Sequence, residues 1–279
     1  MTTHKIIYGT AWKESRTTAL VVSAVLSGFR AIDTACQPKH YREDLVGEAL
    51  QVLYDKHGFK REDFFLQTKY TSISGQDRKK PLPYDPTTDI GTQVRASVQK
   101  SLENLKTTYL DSLLLHSPLD DAPYPKTILA WKTLMVLQEE KTVRHIGVSN
   151  TYDVATLDAL HRGGGKMVEV VQNRWYQGNN WDPEVLNYCV ANRIQYQSFW
   201  TLTGSPKLLS HPVVTATIAK GLQCTPEQAV YRIAQSRGVT PISGTTSEEH
   251  MKEDLAVDSL VLYDKFSEDA DVLMSSISK

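Results

Sequence analysis

Residues 110–116 read LDSLLLH, an almost unbroken apolar run that closes on a histidine. A strand that is apolar along its whole length has both faces covered, as in a parallel sheet, whereas antiparallel strands usually alternate. Similar short runs recur along the chain: KIIYGTA from Lys5, FRAIDTA from Phe29, FFLQTK from Phe64, RHIGVS from Arg144, VEVVQN from Val168, IQYQSF from Ile194 and GVTPIS from Gly238. Between them lie longer stretches with helical apolar spacing, such as TTALVVSAVLSG, EDLVGEALQVLYDKHG, TQVRASVQKSLENL and PEQAVYRIAQSRG, several ending in the glycine that stops a helix. Strands separated by helices cannot pair as hairpins and imply parallel βαβ units. Eight of them predict an α/β fold, a closed (β/α)8 TIM barrel forming one domain over residues 1–279, with a doubly wound open sheet as the alternative.

Composition narrows the partners. Thirty-one basic residues against thirty-two acidic ones leave a net charge of −1, so no basic surplus favours nucleic acid or an anionic membrane. The three cysteines, Cys36, Cys189 and Cys224, lack the spacing of a zinc site or disulfide framework, which points to a reducing, cytoplasmic setting. No window reads as a secretory signal or a membrane span. The expected partner is a small molecule, and the expected state a monomer or weak homo-oligomer. Two segments exceed ordinary βα loops, residues 71–89 and 201–211, and are candidates for a lid or pocket rim.

In a barrel, chemistry gathers where strands hand over to their loops. The runs end on Asp33, on Lys69, on His116, and on Gln172 and Asn173. An acid, a lysine and a histidine on strands two, three and four converge and perturb one another's proton affinity, which acid/base chemistry requires.

These residues and their neighbours resemble the aldo-keto reductase family over nearly the whole chain. The matching pieces are GTAW at Gly9–Trp12, GFRAIDTA at Gly28–Ala35, LVGEAL at Leu45–Leu50, FLQTK ending at Lys69, YLDSLLLHSP at Tyr109–Pro118, RHIGVSN at Arg144–Asn150 and VVQNRWY at Val170–Tyr176. The resemblance implies a nicotinamide-dependent reductase that moves hydride to an aldehyde or ketone with an Asp, Tyr, Lys and His tetrad. Asp33, Lys69 and His116 match without gaps. The tyrosine's usual position holds Pro38, and CQPKHYRED carries a short insertion that leaves Tyr41 and His40 as candidates, Tyr41 being preferred as a phenol whose proton affinity an ammonium would lower.

The same resemblance assigns Gly9, Thr10, Ser149, Asn150 and Gln172 to the cofactor, with Phe199 stacking on the nicotinamide. It places Gly244, Thr245, Thr246, His250 and Asp254 around the adenosine phosphate. The family's usual Lys and Arg are replaced there by Gly244 and His250, while Glu248 and Glu249 oppose a second negative charge, so NADP(H) is expected with NAD(H) also possible. Trp12, His40, Trp175 and Trp200 are the expected substrate walls, suiting an apolar or aromatic carbonyl. Three other readings stay open. One is a metal-dependent hydrolase using His116, Asp120 and Asp121. Another is a Schiff-base lyase using Lys69. The third keeps the fold with lost or altered activity, as a cofactor-bound regulatory subunit or a cofactor-independent isomerase or cyclase.

Overall fold

In the computed structural model, which describes residues 4–262 and 264–277, the eight apolar runs form β1 (Ile7–Gly9), β2 (Ala31–Asp33), β3 (Phe65–Tyr70), β4 (Leu110–Leu115), β5 (Val143–Ser149), β6 (Val170–Arg174), β7 (Gln195–Phe199) and β8 (Val239–Ser243). Each strand pairs in parallel with its neighbours in chain order, and β8 pairs with β1, so the sheet closes and no edge is left. The (β/α)8 barrel replaces the open-sheet alternative. Residues 1–3, 263, 278 and 279 of the expected 1–279 span lie outside the described residues.

The outer ring is α1 (Thr17–Ser27), α2 (Glu43–His57), α3 (Ile90–Leu105), α4 (Pro125–Glu139), α5 (Val154–Gly164), α6 (Pro183–Ala191), the short α7 (Pro206–Leu209) and α8 (Lys220–Leu222), then α9 (Pro226–Ser236), α10 (Glu248–Ala256) and α11 (Asp264–Ile277). Several starts are fixed by side-chain caps that satisfy first-turn N–H groups: Asp89 accepts from the Thr92 N–H, Asp153 from that of Thr156, and Thr225 from that of Gln228. No helix among the described residues is long and apolar enough to cross a membrane.

Core packing is close where helices meet. Gly47 lies where α2 crosses the end of α3, and a Cβ there would stand 1.9 Å from the Asn104 carbonyl oxygen. At the amino end of the strands, two guanidiniums lie over the Tyr109 ring, Arg61 at 3.9 Å and Arg144 at 4.3 Å from its centroid. Buried Asp111 ties both together, at 2.6 Å to Arg61 and 2.8 Å to Arg144. This clamp lies opposite the strand ends that carry the candidate chemistry.

Gly47→Ala is expected to lower stability by about 1–3 kcal/mol, the usual range for overpacking, because the added methyl meets backbone. Thermal unfolding of the purified protein checks this against Gly244→Ala, whose new Cβ would find nothing within 4 Å and should leave the melting temperature unchanged.

Candidate active site

The centre of the carboxyl face is a buried ion pair. Lys69 Nζ donates to both oxygens of Asp33, at 2.8 and 2.7 Å, and to the Thr34 carbonyl at 2.8 Å. Asp33 and Gln67 are register partners across β2 and β3, so Lys69, two residues on, extends past the end of β2 to reach the carboxylate. Burial alone lowers the lysine's proton affinity, but Asp33 and the neighbouring Tyr41 outweigh it and hold the ammonium above its usual range.

Tyr41 and His40 separate clearly. Lys69 Nζ lies 5.2 Å from the Tyr41 ring centroid, and Tyr41 meets His116 edge-on with centroids 6.0 Å apart. The His40 ring stacks on Trp12 at 3.7 Å, and its carbonyl accepts from the Trp12 N–H at 2.8 Å. The insertion makes this possible by turning on itself: the Gln37 carbonyl accepts from the N–H groups of both His40 and Tyr41. The loop after β3 braces that turn. Gln37 donates to the Gly75 carbonyl, Gln76 to the Cys36 carbonyl, and Lys80 to the Pro38 carbonyl at 2.7 Å. Two residues past Tyr41, buried Glu43 accepts from the Thr68 hydroxyl and the Asn104 amide, seating the start of α2.

The ammonium lowers the proton affinity of Tyr41 as expected, but burial outweighs it. Burial raises the proton affinity of Tyr41, Lys69 lowers it and Asp33 raises it, and the net direction is upward from an ordinary phenol. The ammonium therefore offsets desolvation without making the phenol acidic. His116 is pushed the other way, down to about 3, first by burial and then by the charges of Lys69 and His40, so its ring is neutral at neutral pH. Its Nδ1 lies 2.6 Å from the Thr71 hydroxyl. When that hydroxyl donates, the ring proton resides on Nε2.

Around this centre, Ser149 donates to the Gln172 carbonyl at 2.7 Å, and the Asn150 amide donates to the His116 carbonyl at 2.9 Å. Gln172 Nε2 donates to Asp33 at 2.9 Å and to Gln197 at 3.0 Å. Phe199 and Trp200 end β7 and open its loop, with the Arg174 guanidinium 5.6 and 4.5 Å from their respective centroids. Trp12 and Trp200 are exposed on the rim, at 66% and 51%. Gly244, Thr246 and His250 are also exposed, and the Ser247 side chain caps α10 by accepting from the His250 N–H.

Four residues expected at the site are buried and held by structural contacts. Trp175 has no exposed surface and packs edge-on against Trp181 within the core. Gly9 is buried in β1, where an added Cβ would strike Ile242 at 2.7 Å. Thr10 has zero exposure and directs both its N–H and its hydroxyl to the Asp33 carbonyl. Asp254 is 5% exposed and accepts from the Ser243 hydroxyl at 2.6 Å, tying α10 to the end of β8; burial lifts its carboxyl to about 6. Each is placed by packing instead of facing open space.

Sequence reasoning missed Lys13. It is 2% exposed, and its ammonium donates to the carbonyls of Gly244 and Thr245 at 2.9 and 3.2 Å and sits 4.8 Å from the Tyr8 centroid. No carboxylate pairs with it in the described structure, and burial followed by the charge of Arg16 lowers it to about 8. The available signal was a lysine directly following GTAW on the β1 loop. Thr71 was missed because its role is set across strands and not along the chain.

The sequence profile described as the Aldo/keto reductase family matches residues 5–211. An uncharacterized oxidoreductase of Schizosaccharomyces pombe is 29% identical over 245 residues, covering 88% of this chain and 78% of its own. Among solved structures, an aldo/keto reductase from Brucella melitensis superposes with a TM-score of 0.78 at 25% identity, covering 96% of this chain and 94% of its own. An aldo-keto reductase crystallised with NADPH shares the fold at a TM-score of 0.79 and 19% identity, over 95% of this chain and 83% of its own.

Because its folded value lies near 3, against about 6.5 for an ordinary histidine, His116 favours the folded state above pH 6.5 and withdraws that stability as pH falls below it. Imidazole NMR should show no His116 titration between pH 5 and 8. Lys69→Met removes a lowering charge and should move the titration upward.

Proposed function

This chain belongs to the aldo/keto reductase family, and from that premise we propose that it is an NAD(P)H-dependent oxidoreductase reducing a small aldehyde or ketone to the alcohol, with Tyr41 as the proton donor. The observation that carries this reading is the position of Tyr41, beside Lys69 and edge-on to His116, above the Asp33–Lys69 pair. Pro38 does not weaken the reading, because Tyr41 supplies the phenol from a longer loop.

The residues suit a phosphorylated nicotinamide cofactor. A buried ammonium without a carboxylate partner is costly unless an anion meets it, and Lys13 is held beside the segment expected to take the adenosine phosphates. Gly244 leaves open space there, and Thr245, Thr246 and His250 offer donors at the start of α10. Glu248 accepts from Ser23 at 2.7 Å on α1, which directs one opposing charge elsewhere and favours NADP(H). Ser149, Asn150, Gln172 and Phe199 are the residues for the nicotinamide end.

When bound, the reduced nicotinamide supplies the hydride. The Tyr41 hydroxyl gives its proton to the carbonyl oxygen as negative charge builds there. Because its affinity lies above the ordinary phenol range, the donor is protonated in essentially every molecule at neutral pH. Lys69 stabilises the phenolate left behind, and Asp33 keeps Lys69 charged. Neutral His116, with its proton on Nε2 when the Thr71 hydroxyl donates to Nδ1, orients the carbonyl without competing as an acid. Trp12, on which His40 stacks, and Trp200 supply aromatic surface at the rim for an apolar or aromatic carbonyl.

Tyr41→Phe should lower kcat by about 10²–10⁴ while leaving cofactor binding nearly intact, and His40→Ala should cost far less. Steady-state reduction of an aromatic aldehyde checks the ranking, and the reverse order would move the proton donor to His40. Lys13→Met should weaken NADPH binding about 10-fold or more, the usual loss for a charge-assisted contact. Since the Lys13 ammonium is lost as pH rises past about 8, the KM for NADPH should climb through that range in the unaltered enzyme. At saturating cofactor, kcat should persist there, because Tyr41 still holds its proton.

A further inference from the structure

The interior of a (β/α)8 barrel is usually filled by layers of branched apolar side chains. Here the layer beneath the ion pair carries three buried glutamines, Gln67 on β3, Gln172 on β6 and Gln197 on β7, all 3% exposed or less. Gln67 is the register partner of Asp33, and Gln197 that of Gln172. Gln67 Nε2 donates to Asp33 Oδ1 at 2.8 Å and to Gln197 Oε1 at 2.6 Å, and Gln197 Nε2 returns a bond to Gln67 Oε1 at 3.1 Å. Gln172 Nε2 also donates to Asp33 Oδ1 and to Gln197 Oε1.

A primary amide can ordinarily turn over and exchange its donor and acceptor ends. This network forbids the exchange. An ionised carboxylate only accepts, so Asp33 forces Nε2 of both Gln67 and Gln172 toward itself. The second hydrogens of those two nitrogens then require an oxygen at Gln197, which leaves Gln197 Nε2 to face Gln67 Oε1. Both Gln172 N–H groups are thereby occupied, and its oxygen alone remains to meet a ligand.

We infer that Gln67 and Gln197 are positioning residues which, together with Asp33, lock the Gln172 amide so that it offers an acceptor to the N–H donors of the nicotinamide carboxamide. Gln197 matters more than Gln67, because it takes the second Gln172 hydrogen directly, whereas Gln67 acts through Gln197. The network also joins the cofactor end of the site to the proton-donor end, since Asp33 Oδ1 receives Gln67, Gln172 and Lys69 together. This inference rests on the proposed nicotinamide-dependent function.

The test compares two probes on the full-length protein, NADPH and adenosine 2′,5′-bisphosphate, the latter lacking any nicotinamide. Binding is followed by NADPH fluorescence and by its displacement. Gln197→Met should weaken NADPH by about 3- to 10-fold, the loss of one ordered hydrogen bond, while leaving the bisphosphate within about twofold of the unaltered protein. Gln67→Met, which leaves the Gln197 oxygen available to Gln172, should show the same selectivity with a smaller loss. It also provides an independent reading if Gln197→Met does not fold. Equal weakening of both probes in the folded variants would reduce the glutamines to packing and overturn the inference, as would unchanged NADPH binding. If the unaltered protein binds the bisphosphate but gains nothing from the nicotinamide, the functional reading falls first and takes the inference with it.

Discussion

The Asp33–Lys69 ion pair is the constraint around which the carboxyl face of the barrel is arranged. Taking two charges out of water is expensive, and breaking such a pair by removing one partner typically costs roughly 3–5 kcal/mol because the other charge is left buried. The barrel offsets this cost with hydrogen bonds. Thr34 accepts from the ammonium, and Gln67 and Gln172 donate to the carboxylate. Burial sets the direction of both the Tyr41 and the His116 shift, and the same charge then acts on each. Lys69 draws the phenol's proton affinity downward against burial, and adds to burial in favouring the neutral imidazole. A single cation thus serves two neighbours in different ways, because the phenol becomes charged on losing a proton and the imidazole on gaining one.

The barrel itself was legible because closure buries both faces of every strand, and near-continuous apolar runs such as LDSLLLH record that directly. Asp33, Lys69 and His116 stood out as ionisable residues ending such runs. What remained hidden depended on contacts between segments distant in sequence. Nothing in CQPKHYRED states which of His40 and Tyr41 turns inward, because the choice is made by the Gln37 turn and by braces from residues 75, 76 and 80. Trp175 looked like a pocket wall because it follows the VVQN strand end, but its indole is enclosed beside Trp181. Gln67 did carry a signal, since it sits two residues before Lys69 on a strand and so shares its face. A polar residue inside an otherwise apolar run was easily passed over as incidental.

The sign of the Tyr41 shift changes how the site is understood. An ammonium beside a phenol invites the expectation of an acidic tyrosine, and in water that would follow. In a buried setting, loss of hydration opposes the phenolate more strongly than one neighbouring cation favours it, particularly when Asp33 partly cancels that cation. In the proposed mechanism this arrangement keeps the proton in place before charge develops on a substrate oxygen, yet leaves a cation ready once the phenolate forms. That mechanism would favour the transition state over the resting state, which is where electrostatic preorganisation contributes to rate.

The turn that carries Tyr41 does not stand alone, because the loop following β3 supplies three of the hydrogen bonds that hold it: to Gly75, from Gln76 and from Lys80. Loop exchange is a common way to alter which molecules a barrel accepts, since rim segments can usually be recut while the scaffold stays intact. In this protein the two loops are tied into one piece. Replacing residues 71–89 would also remove the hydrogen bonds that hold the turn bearing Tyr41, the proposed proton donor, so redesign here has to treat residues 36–41 and 71–89 as one transplantable unit.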